Sequence, residues 1–293
     1  MNVRALIDDA ARRLAAAGVA FGHGTTNAFD EAAWLVLWRL GLPLDALDRV
    51  GGLSVGVEQQ AEVEALIDQR IERRVPAAYL TGEAWLQGVP FTVDARVIVP
   101  RSLIAEPLAD GTLDAWLSAD TTRVLDLCTG NGSLAVLAAL AWPEVTVEAT
   151  DLSADALAVA ELNVQRHHLE ARITLRQGDG LAAARGAYDL ILCNPPYVNR
   201  ASMSRLPAEY RAEPALALDG NFAGGSDGMD FVRRLVRGAA RHMTPQAVLV
   251  LEIGHERAHF EAAFPRLETV WLPTSAGEDQ VLLLTRTALE AAR

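Results

Sequence analysis

The chain opens on a helical period. In VRALIDDAARRLAAAG, residues 3–18, apolar side chains recur every three or four positions and a glycine closes the run. In TTNAFDEAAWLVLWRLGLP, Thr26 or Asn27 can accept from the orphan amides of a helix start, and Gly41 and Pro43 mark the exit. A third run, residues 57–76, sets Val63, Leu66, Ile67 and Ile71 on one stripe and is expected to stop at Pro76. After Pro76 the period changes. AWLQGVPFTV and ARVIVP predict a short hairpin turning near Gly88, followed by a second extended piece. From about Leu103, β-rich runs (TRVLDLC, VTVEATD, ARITLRQ, YDLILC, AVLVLEIG, LETVWLP and QVLLLTR) alternate with helical segments. Such alternation predicts a doubly wound α/β domain around a mainly parallel sheet. The expected organisation is a helical domain over 1–76, a β-hairpin linker over 77–102 and the α/β domain over 103–293, with no internal repeat.

Composition leaves this picture intact. Hydrophobic residues make up 51% and charged residues 22% of 293, the balance of a folded protein, which excludes long disorder. The longest apolar stretches fall well short of the roughly 18 residues a spanning helix needs, and MNVRALIDDAARR places acids where a secretory signal has basic and apolar regions. A cytoplasmic location is expected, with no membrane partner. The formal net charge of -12 argues against stable, sequence-independent nucleic-acid binding and favours a neutral or basic partner. Two cysteines, Cys128 and Cys193, are too few for a disulfide framework or a cysteine-built zinc site; both are expected as reduced, buried thiols.

Ligands of doubly wound sheets lie beyond the carboxyl ends of the strands, so the residues there are the candidates. Gly130 and Gly132 let the backbone pass close to a ligand, and Gly130-x-Gly132-x-x-Ala135 fits a dinucleotide fingerprint that a nicotinamide-dependent oxidoreductase would share. Asp151 can accept from two ribose hydroxyls, and Asp179 from an exocyclic amine. Together with Asp126 they describe a nucleoside pocket that favours a positively charged cofactor over a phosphate. Capping of the following helices is the alternative use of such aspartates. In YDLILCNPPYVN, two prolines stop a buried strand and keep Asn194 and Pro195 extended without offering an N–H to any ladder. This stiff rim presents the Asn194 side-chain oxygen and the Pro195 carbonyl as paired acceptors, suited to a substrate NH2 group. Pro196 completes the rim, and Tyr197 offers an aromatic face or a hydroxyl.

Asp126 with Gly130 and Gly132, Asp151, Asp179 and Asn194-Pro195-Pro196-Tyr197 together resemble the Rossmann-like methyltransferases that use S-adenosylmethionine to methylate amide or amino nitrogen. Nearly the whole chain resembles the bacterial protein-glutamine N5-methyltransferases, including the stretch of residues 76–102, EPALALDG and GGSDGMDFVRRLV. One branch of that family methylates peptide-chain release factors and the other ribosomal protein L three of the large subunit. Residues 21–45, VPRSLIAE and MSRLPAEYRAEP are similar to the ribosomal-protein branch, as is Cys128, which stands where most methyltransferases have a first glycine. The resemblance implies S-adenosylmethionine held by Asp126, Cys128, Thr129, Gly130, Gly132, Asp151, Asp179 and Asn194, and a target glutamine held by Asn194, Pro195, Pro196 and Tyr197. It also implies a basic ribosomal protein as substrate, selected by the helical N-terminal domain, with a loop over 220–228 closing on it. Gly180 departs from the release-factor branch, which carries there an aromatic residue that packs on adenine.

Other readings stay open at this stage. His255-Glu256-x-x-His259 has the spacing of a zinc peptidase helix, although no third metal ligand follows at the extended spacing. Asn-Pro-Pro-Tyr rims also hold exocyclic amines of nucleic-acid bases, and a non-catalytic ribosome-assembly factor is a further alternative.

Overall fold

A computed structural model describes residues 1–292. Its N-terminal part packs α1 (Val3–Ala16), α2 (Ala28–Arg39) and α3 (Val57–Arg73) around Leu6, Ile7, Leu35, Val36 and Ile67, so the predicted stripes face one another. Asn27 caps α2, its Oδ1 accepting from the Asp30 amide at 2.9 Å. Helix α3 ends before Pro76 because Arg74 turns left-handed, with φ 53°. That turn sends the Arg74 guanidinium to the carbonyls of Ala17 and Gly18 and to Glu209.

The hairpin pairs β1 (Glu83–Leu86) with β2 (Val89–Thr92) through a turn in which Gln87 and Gly88 both have positive φ. ARVIVP, read as a further extended strand, forms no ladder. Val97 and Val99 are buried, but the Val97 carbonyl accepts from the Tyr79 hydroxyl and the Val99 amide donates to Glu213, so side chains occupy the backbone groups a strand partner would use.

Seven strands form the main sheet: β3 (Arg123–Leu127), β4 (Thr146–Asp151), β5 (Ile173–Gln177), β6 (Tyr188–Cys193), β7 (Met243–Glu252), β8 (Val270–Thr274) and β9 (Gly277–Thr285), in the order β5-β4-β3-β6-β7-β9-β8. The first five of that order run parallel, and β9 inserts antiparallel between β7 and β8. Apolar side chains fill both faces, as a sheet covered on two sides requires. Helix α4 (Ser133–Ala141) follows β3, α5 (Ala154–Arg166) follows β4, and α6 (Asp230–Gly238) precedes β7. The chain winds outward through β3, β4 and β5, then returns to place β6 on the other side of β3, and this reversal opens a crevice at the carboxyl edge. This is a Rossmann-like α/β fold with added N-terminal helices. Among the described residues no helix is long and apolar enough to cross a membrane.

Candidate active site

Register brings the candidate residues together. Leu127 pairs with Thr150 on one side and with Cys193 on the other, so the residues that follow, Cys128, Asp151 and Asn194, leave the sheet side by side. They line a cavity of about 250 Å³.

The turn after β3 is left-handed at Cys128, Gly130 and Gly132, with φ of 59°, 56° and 81°. At Gly132 the conformation and the packing both favour glycine, because a Cβ would lie 3.2 Å from that of Ala160. Cys128 holds the same conformation at a cost of order 1–3 kcal/mol. It is half-buried at the cavity wall, unlike the buried thiol expected, whereas Cys193 is fully buried. Burial, with Cys128 beside it, raises the Cys193 thiol well above its ordinary range.

Asp126 lies beneath this turn and off the cavity wall. Its Oδ2 accepts from the Thr129 hydroxyl at 2.5 Å and the Ala135 amide at 3.1 Å, and burial pushes the carboxyl up to about 7. Asp151 is on the wall, its carboxylate accepting from the amides of Gly130 and Ser153, both at 2.9 Å. Burial raises its pKa. Asp179 stands at the lip, where its Oδ2 accepts from Arg234 at 2.7 Å. Asn194 and Pro196 face the cavity and Pro195 is buried between them. Among the described residues the Asn194 side-chain amide and the Pro195 carbonyl take part in no hydrogen bond. Tyr197 is not on the cavity wall: its ring packs on Gly254 and its hydroxyl donates to Glu252 Oε1 at 3.1 Å.

Several residues at the site carry no local motif. Phe231, from α6, lines the cavity with its ring 3.3 Å from where a Cβ on Gly180 would lie, and so fills the place an aromatic side chain at 180 would take. The absence of that aromatic at Gly180 was the one signal pointing to it. Asn163 on α5 donates to the carbonyls of Asn131 and Thr92 and accepts from the Thr92 amide, joining the hairpin to the glycine turn. The zinc-peptidase spacing does not form its site. His255 precedes α7 (Arg257–Ala263), and the Glu256 carboxylate accepts from Asn199 and meets His259 Nδ1 at 2.6 Å.

The wall suits a cationic nucleoside. The Thr150 hydroxyl and the Asn131 side-chain NH2 are buried without a hydrogen-bond partner among the described residues. Each lining arginine is already ion-paired, Arg96 with Asp94, Arg101 with Glu213 and Arg234 with Asp179, leaving no free cation for a phosphate and the Asp151 carboxylate unopposed. Phe231, Leu134 and Leu152 supply apolar surface for a base.

Comparison with known proteins agrees. Residues 111–212 match the family model described as methyltransferase small domain. Solved structures show the same fold: a methyltransferase from Pyrococcus furiosus is 17% identical with a TM-score of 0.50 over 69% of this chain and 90% of that one. The hMettl16 catalytic domain in complex with a MAT2A 3'UTR hairpin is 13% identical with a TM-score of 0.51, over 80% and 84%. Among curated relatives, the ribosomal protein uL3 glutamine methyltransferase of Bordetella pertussis is 56% identical over 98% of this chain and 96% of its own. Those of Burkholderia pseudomallei and Neisseria meningitidis serogroup B are 51% identical (99% and 96% covered) and 46% identical (98% and 94% covered). With more than half of its residues shared end to end with such a relative, the chain belongs to the ribosomal protein uL3 glutamine methyltransferase family.

Proposed function

We propose that this protein transfers the methyl group of S-adenosylmethionine to the side-chain nitrogen of a glutamine in the large-subunit ribosomal protein uL3. The observation that carries the reading is the unpartnered Asn194 amide on the wall of a cavity shared with Asp151 and the glycine turn. S-adenosylmethionine, when bound, supplies an electrophilic methyl on a positively charged sulfur. Asp151 would hold the ribose hydroxyls, the turn from Cys128 to Gly132 would receive the amino-acid end, and Phe231 and Leu152 would flank the base. Asp126 supports that turn from below.

An amide nitrogen is a poor nucleophile because its lone pair is delocalised into the carbonyl. Asn194 Oδ1 and the Pro195 carbonyl would each accept one N–H of the target, fix the direction of its lone pair, and gain strength as positive charge grows on nitrogen. The stiffness of two consecutive prolines keeps that acceptor pair from turning away. No strong general base is needed, since the alkylated amide loses its proton readily to water.

The N-terminal helices then select the protein substrate, a basic ribosomal protein met in the cytoplasm, and the loop over 220–228 closes over it. Labelled methyl offered to unmethylated ribosomal proteins and, side by side, to release factors tests the reading. N5-methylglutamine in uL3 is the expected product; label confined to the release factor would overturn the substrate, and no transfer to either would overturn the reaction.

A further inference from the structure

Glu252 ends β7 with 4% of its surface exposed, and the mechanism above does not use it. Taking a carboxylate out of water costs several kcal/mol, so a buried acid in an apolar strand needs partners. It has three. Oε1 accepts from the Tyr197 hydroxyl at 3.1 Å, while Oε2 accepts from the Ser102 hydroxyl at 2.6 Å and the Leu103 amide at 2.9 Å.

The placement follows from register: Cys193 pairs with Leu251, so Asn194 and Glu252 are neighbours where the two strands end. Beyond that point Val198 is fastened by its backbone, its amide donating to the Leu218 carbonyl and its carbonyl accepting from the Gly220 amide. No hydrogen bond among the described residues reaches the carbonyls of Pro195 and Pro196, so the side-chain anchor of the rim is the bond from Tyr197 to Glu252. The linker is clamped from both sides. Val99 and Arg101 donate to Glu213, with both Arg101 terminal nitrogens engaged at 2.6 and 2.8 Å, and the next two residues donate to Glu252.

We propose that Glu252 is a positioning residue: through Tyr197 it holds Asn194 and Pro195 in the setting that receives the substrate amide, and through Ser102 and Leu103 it makes that setting depend on the linker. The identity of the acceptors rests on the function proposed above. The step the residue serves is alignment, where a misplacement of about 1 Å costs on the order of 10²-fold in rate.

Tyr197→Phe removes only the hydroxyl, and Glu252→Gln keeps the shape of the anchor. Each should lower kcat for uL3 methylation on the order of 10- to 100-fold while the Kd for S-adenosylhomocysteine stays within about twofold of wild type. Since both break one link, the double variant should fall little further than the worse single one. Hydrogen exchange in the segment 194–199, measured without substrate, should rise in both. Wild-type kcat and exchange in folded Tyr197→Phe, or cofactor affinity falling in step with kcat, would overturn the proposal. Should Glu252→Gln fail to fold, Tyr197→Phe decides alone. A wild-type protein inactive on uL3 would sink the proposed function, while the exchange measurement still judges the anchor.

Discussion

At the scale of single residues, the site separates groups that face the cavity from groups that hold them. The Asn194 side chain faces it with no hydrogen bond to another described residue, and its removal tests the chemistry most directly. Asn194→Ala should lower kcat by about 10² to 10³, the scale of one preorganised transition-state partner, and leave the Kd for the cofactor little changed; steady-state rates with a binding isotherm check both. Asp126 lies behind the wall, and its raised carboxyl has a consequence for stability. Its folded pKa of about 7 lies above the value near 4 in the unfolded chain. The stability this group contributes is therefore complete below about pH 4 and is lost as pH rises through about 7. Denaturant unfolding of the protein and of Asp126→Asn should accordingly show the gap moving in the variant's favour between pH 5 and pH 8.

Elements were legible in the sequence to the degree that their cause is local. Seven β-rich runs became seven strands, since their apolar runs and bounding turn residues lie within a few positions of one another. Asn194 to Tyr197 stood out for the same reason, because two prolines in a row constrain only their neighbours. Phe231, Glu252 and Glu213 were not legible as site residues. Glu252 meets Ser102 from 150 positions away, and Glu213 meets Arg101 from 112, distances over which no periodicity carries information. ARVIVP misled for a related reason: its apolar alternation is real, but distant side chains took its backbone groups. The loop between β6 and α6 shows how closely two elements can be fitted. Asn221 bridges the Val198 carbonyl and the Gly228 amide, and a Cβ at Gly228 would run into the Tyr197 carbonyl oxygen. Gly228→Ala should cost roughly 1–3 kcal/mol and depress kcat. Gly224→Ala, also at positive φ but with nothing within 4 Å of the added carbon, should leave kcat much closer to wild type, and melting curves with rates on the two variants separate collision from backbone strain.

For the molecule as a whole, the N-terminal helices and the loop after β6 are joined by buried charge. Arg70, fully buried, donates to Glu31 at 2.8 Å and to Glu209 at 3.2 Å, and Arg74 adds a bond to Glu209 at 2.6 Å. Burial would raise the Glu209 carboxyl, but Arg74, the backbone amides that reach it and Arg70 outweigh it and hold it below the usual range. Glu213 is treated alike: burial is outweighed by His23 and Arg101. Arg70→Met should destabilise the protein by roughly 3–5 kcal/mol, because two buried acids lose a partner; chemical denaturation measures it. Acids outnumber bases over the chain as a whole, 38 to 26, for a formal net charge of -12. If the substrate is basic, as proposed, its association should therefore slow as salt is raised, with the dissociation rate changing less, as stopped-flow mixing at several ionic strengths would record.

The Arg70–Glu209 contact also orders events in time. Arg70 is translated 139 residues before Glu209, so a chain folding as it is synthesised has the helical seat complete well before the loop arrives. Refolding from denaturant lacks that sequence of arrival. Glu31, the neighbouring Arg70 and Arg74, and Glu209 must then meet with no such order, so a larger share of nascent than of diluted chains should end up active, as activity per mole of chain by each route would record.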